Sequence, residues 1–204
     1  MRPPLTEPEL ARIEAAIRDA ERGTSAEIVV VVAAAHHRPD LALWPALVAL
    51  AVPLPVLLAR PHISALWLYA IQLGVLALGL LLLLVPAVRQ ALTPEAARRD
   101  RARGLARDQF VERGLHRTAA RTGVLLFVSP GDRCAEIISD AGVEGPLPDE
   151  AWRPCLDGLL AEARAGRLAD GIVAALGRMS EMLRERLPAG PGDKNEVPNK
   201  PVVL

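Results

Sequence analysis

The stretch TSAEIVVVVAAAHHRPDLALWPALVALAVP, residues 24–53, sets the organisation of the chain. Its first part, residues 26–32, is β-branched and apolar on both faces, as a central strand covered on both sides requires. A long uncharged run follows almost at once. Few soluble domains break off after a single strand, so the reading turns on what lies beyond.

Beyond it the apolar character persists. From residue 41 to 88 the only strongly charged residue is Arg60, although the 204-residue chain holds 24 basic and 24 acidic groups and is neutral overall. Residues 41–59 give about 19 uncharged positions and residues 63–88 about 26, against the roughly 20 that a helix needs to cross a bilayer core. Residues 59–63, ARPHI, leave room only for a tight turn. LGVLALGLLLLLVP, residues 73–86, is too long and too uniformly apolar for a small core helix. These features predict a two-helix transmembrane hairpin over residues 41–88. Arg89, Arg98, Arg99, Arg101, Arg103 and Arg107 follow it, whereas its turn holds Arg60 alone. The positive-inside rule then puts both termini in the cytoplasm, in a multi-pass protein of the bacterial inner membrane with the lipid bilayer as one partner.

The flanks read as one divided domain. Residues 5–23 form a helix: Thr6 and Glu9 have capping-box spacing, and Gly23 ends it. A helix opens after Thr93 and Pro94 and runs towards Arg117. Residues 122–129 and 133–140 are strands joined by the turn Pro130-Gly131-Asp132, hence a hairpin. Residues 141–152 read as a loop. Helices follow over about 152–165 and 168–187, with Gly166 between them. Residues 188–204 are polar and read as a flexible tail whose final VVL can add a short edge strand. The organisation is therefore helix and strand in 1–40, the hairpin in 41–88, the rest of the domain in 89–187, and the tail.

Three segments carry a family resemblance: AEIVVVV (26–32), FVERGLHRTAARTGVLLFVSPGDRCAEIISDAGVEGPLPDEAW (110–152) and RLADGIVAALGRMSEMLRE (167–185). In order and spacing they resemble the TPM domain, and within it the bacterial membrane subfamily in which a hairpin interrupts the domain. The ending NEVPNKPVVL (195–204) is similar to that subfamily's as well. The resemblance implies an α/β fold, a three-layer α/β/α domain with a mixed sheet. It also implies either hydrolysis of phosphate esters with divalent cations or a role in binding membrane protein complexes.

The residues offer one candidate chemistry. Asp132, Asp140, Glu144 and Asp149 fall in loops at strand ends, and hard cations such as Ca²⁺ or Mg²⁺ take carboxylate oxygens. Asp132-Arg133 matches the family's DR position. DAGVEG, residues 140–145, departs from its glycine-rich stretch, because Asp140 and Ala141 stand where a glycine is common. In a phosphatase the cation would polarise a phosphoryl oxygen, Arg133 would clamp it and a carboxylate such as Asp132 would orient water. The bland alternative makes Asp132 a turn former and Asp149 a helix cap. No phosphate-binding glycine loop, serine elbow, zinc helix or cysteine pair is present. Cys134 and Cys155 read as two reduced thiols. The neutral charge argues against nucleic acid as a partner. The expectation is an inner-membrane protein that presents its domain to a membrane-protein partner, with the cation-dependent phosphatase as the alternative.

Overall fold

The computed structural model describes residues 5–33, 47–48, 51, 64–85, 95–190 and 196–204. The chain divides into two compact units, Met1–His36 with Glu95–Leu204, and His37–Pro94.

The larger unit is built on a four-stranded sheet of order β3-β2-β1-β4. Strand β1 is Glu27–Val32, β2 Gly123–Ser129, β3 Cys134–Ser139 and β4 Val202–Val203. Strands β1 and β2 run parallel, β2 and β3 antiparallel, and β4 pairs parallel with β1. Every residue of β1 and β2 is buried, because helices cover both faces. On one face Ile28, Val30, Leu126 and Ile137 pack against helices α1 (Glu7–Glu21), α5 (Arg153–Arg164) and α6 (Leu168–Arg186) through residues such as Ile13, Leu159 and Leu176. On the other, Val29, Val31, Leu125 and Phe127 meet Ala102, Ala106 and Phe110 of helix α3, Glu95–Glu112. Alternate residues of each strand thus feed two separate cores.

Local signals set the element ends. The Thr6 N–H donates to Glu9 Oε2 at 2.7 Å in the expected capping box. Helix α3 stops at Glu112, short of the expected Arg117, because Gly114 turns left-handed and Leu115–Arg117 tightens into a 3₁₀ turn. The stretch read as a loop contains a short helix α4, Ala141–Glu144, started by Asp140, and a 3₁₀ turn over Asp149–Trp152.

The expected transmembrane hairpin is overturned. Among the described residues no helix is long and apolar enough to cross a membrane. Helix α2, Ala65–Leu82, is almost wholly apolar but has 18 residues. At 1.5 Å per residue it rises about 27 Å, short of a core of ~30 Å. It ends because Leu84 and Val85 donate to carbonyls three residues back, a tightening that closes the last turn. The expected first span, 41–59, lies outside the described residues apart from Leu47, Val48 and Ala51. The multi-pass inner-membrane placement with cytoplasmic termini rested on this hairpin and falls with it.

The C-terminal residues close the β1 edge. Val202 and Val203 pair with Val31 and Val32, and the Glu196 and Val197 N–H groups each donate at 3.1 Å to the buried Glu27 carboxylate. Glu21 accepts from the Ile28 N–H at 2.9 Å and from the Asn199 side-chain amide. Burial pushes the Glu21 carboxyl from its ordinary 4.5 up to about 7; the Ile28 N–H pulls against the rise and the Glu27 charge adds to it. A folded value above the unfolded one favours the fold while the group is protonated. That contribution is complete below pH 4.5 and is lost as pH rises through about 7. Glu21→Gln is neutral at every pH, so it is expected to stabilise the protein by about 2 kcal/mol at pH 8, after discount for partial exposure. Urea unfolding at pH 5 and pH 8 checks this; a gain of equal size at both values contradicts it.

Candidate functional site

The antiparallel β2–β3 hairpin decides where the candidate carboxylates lie. Its register pairs Ser129 with Cys134 at the turn and Val124 with Ser139 at the far end. Asp132 sits in the turn, and Asp140 follows the last residue of β3. Six residues at ~3.3 Å each separate the two ends, about 20 Å. The two carboxylates therefore do not share a single cation. Glu144 is exposed at the end of α4. Asp149 is exposed and ion-paired with Arg103, Nη2 to Oδ2, at 2.7 Å. Among the described residues, no group of three or more His, Cys, Asp or Glu side chains is placed to hold a metal.

Asp140 is buried and fully engaged. Arg121 grips it with one edge of its guanidinium, Nε donating to Oδ2 and Nη2 to Oδ1, each at 2.7 Å. The Ala141 N–H donates to Oδ1 at 2.8 Å, so Asp140 also caps α4. Burial pushes its carboxyl up, but the Arg121 hydrogen bonds and the Ala141 N–H outweigh this and hold it below the ordinary 3.8. Its stabilising contribution is thus present above pH 3.8 and lost as pH falls through the folded value. Gly142 allows the approach. A Cβ there would lie 2.6 Å from Ala120 O and 2.7 Å from Arg121 O, and the Gly142 N–H donates to Arg121 O at 2.9 Å. The glycine that this segment retains matters more than the one that Asp140 replaces.

The turn end is different. The Ser129 hydroxyl donates to Asp132 Oδ2 at 2.9 Å, which draws that carboxylate back onto its own strand. Arg133 adopts a left-handed backbone, φ 54°, and its side chain is exposed. Beside it lies a groove of ≈ 340 Å³ lined by Val128, Pro130, Arg133, Cys134, Leu160, Ala163, Arg164 and Leu168. It opens where β1 and β2 reach their carboxyl ends, the usual place for ligands in an α/β sheet. Of the candidate residues only Arg133 lines it, with Asp132 adjacent in sequence. Arg164, on α5, and Arg121, the partner of Asp140, were not singled out from the sequence. No spacing links either one to residues on another element.

Comparison with known proteins accords with this architecture. Residues 83–182 match the family model of the TPM domain. The chain is similar to the NMR structure of BA42 protein from the psychrophilic bacterium Bizionia argentinensis, with a TM-score of 0.62 and 20% sequence identity. That similarity covers 98% of this chain and 95% of the other, and at this identity it speaks for the fold alone. No curated protein matches the chain. Helix α1, β1 and β4 lie outside the matched stretch yet complete its sheet and core. Residues 83–182 of the chain therefore carry a TPM domain.

Proposed function

We propose that the TPM domain of this chain is a protein-interaction module, serving the assembly or stability of a protein complex, and that the groove at the carboxyl ends of β1 and β2 is its binding site. One observation carries the reading. Asp132, Asp140 and Asp149 are each committed to a contact within the domain, whereas the groove next to Asp132 presents an apolar floor with Arg133 and Arg164 at its rim. A binding site needs an apolar surface and a few fixed polar groups; a cation-dependent phosphatase needs convergent oxygen ligands.

Two measurements on the full chain test it. Hydrolysis of p-nitrophenyl phosphate is followed with Ca²⁺ or Mg²⁺ present, alongside Asp132→Ala. In the source cell, a photo-cross-linking residue replaces Ala163 at the groove or Asp157 on the exposed side of α5. The reading predicts no turnover that depends on Asp132, and a discrete covalent adduct from position 163 but not from 157. Metal-dependent turnover that Asp132→Ala abolishes would establish the phosphatase reading instead.

A further inference from the structure

The groove's chemistry narrows what it receives. Its floor, from Val128, Pro130, Leu160, Ala163 and Leu168, is aliphatic. Its only charged lining residues are Arg133 and Arg164, both exposed, and neither makes an ion pair among the described residues. The nearby carboxylates are occupied. Asp132 accepts from Ser129, and Glu162 is held by Arg167 at 2.6 Å. Arg164 lies in the last turn of α5, where the helix dipole favours a cation. Arg133 has no such local reason. It occupies a left-handed backbone position that costs any residue but glycine free energy, and such strain is kept where surrounding structure or function requires it.

Size and charge together select an occupant. A volume of ≈ 340 Å³ is at the small end of ligand sites and takes two or three side chains, not a folded partner. A free inorganic anion would satisfy the two guanidiniums and leave the aliphatic floor in water. An apolar segment alone would leave the guanidiniums without a counter-charge. We propose that the groove binds a short peptide segment in which an acidic side chain stands next to large aliphatic ones, the carboxylate held by Arg133 and Arg164 and the aliphatic groups on the floor. This rests on the interaction reading of the same groove and adds the chemistry of the partner.

The test uses the full chain and three synthetic peptides: acetyl-SLDLS-amide, its neutral counterpart acetyl-SLNLS-amide, and acetyl-SADAS-amide. The expected result is at least about fivefold tighter binding of the acidic leucine peptide than of either other, with the advantage over the neutral one shrinking in 0.5 M salt. Arg133→Gly and Arg164→Gln are each expected to remove most of the acidic preference. Glycine fits the left-handed position, so Arg133→Gly is expected to unfold at no lower temperature than the wild type. A structural role for Arg133 predicts the reverse. Equal binding of the acidic and neutral peptides overturns the proposal, as does an acidic preference that survives in the double variant, or equal binding of acetyl-SADAS-amide. If position 163 still cross-links a partner in that event, the interaction reading stands without this chemistry. If the acidic preference holds but no partner is trapped, the interaction reading fails and the binding chemistry stands.

Discussion

Trp152→Ala is expected to destabilise the domain by about 3–5 kcal/mol, the range for removing a large aromatic from a closed core. Trp152 is 1% exposed, in the 3₁₀ turn that feeds α5, and it packs in the core between the sheet and the α1, α5 and α6 layer. Neighbours from several elements would have to move to refill its place, and interiors at native density relax only in part. Its indole Nε1 is buried and donates to no group among the described residues. A buried donor without an acceptor already costs free energy, so Trp152→Phe gives some of the loss back. It is expected to cost under ~1.5 kcal/mol. Urea unfolding of the three proteins measures both values; a loss below about 1 kcal/mol for alanine would mean that the site is not a packed core position.

Gly142→Ala is expected to cost about 2–3 kcal/mol, the upper part of the range for overpacking. The added methyl would meet two backbone carbonyls, Ala120 O at 2.6 Å and Arg121 O at 2.7 Å, rather than the movable end of a side chain. Relief requires α4 to shift. That shift lengthens the Gly142 N–H to Arg121 O bond and pulls Asp140 from the Arg121 guanidinium. Gly145, three residues on, is the control. Nothing lies within 4 Å of its position, and its φ of −62° suits any residue. Gly145→Ala is therefore expected to be neutral or to stabilise by up to ~0.5 kcal/mol. Unfolding by urea separates the two variants; equal effects would contradict the close approach at Gly142.

How much of this was legible in the sequence depends on how local the cause is. Strands β1, β2 and β3 begin and end within about one residue of their sequence reading, because a β-branched run bounded by turn formers leaves few other conformations. The final VVL adds the expected edge strand, Val202–Val203. Helix α2 went wrong for a physical reason. Hydropathy records which solvent a segment prefers, not where its hydrogen-bond ladder stops, and the ladder stops at Leu82. The candidate site failed differently. Asp132, Asp140, Glu144 and Asp149 are neighbours in sequence, but an antiparallel strand lies between the first two and carries them to opposite ends of the sheet. Asp149 and Asp140 then pair with Arg103 and Arg121 on other elements, which no local pattern announces. Arg133 is singled out in the sequence for a phosphate clamp; its groove neighbours on α5 and α6 lie about thirty residues further along the chain, and no local pattern ties them to it.

The most direct test of the groove as the binding site is a backbone-amide shift map of the ¹⁵N-labelled chain during titration with acetyl-SLDLS-amide. The account predicts shifts concentrated at Val128, Arg133, Ala163 and Leu168, with the amides of Asp140, Glu144 and Asp149 unmoved. Shifts centred on Asp140 and Glu144, or none at the groove at saturating peptide, would contradict it.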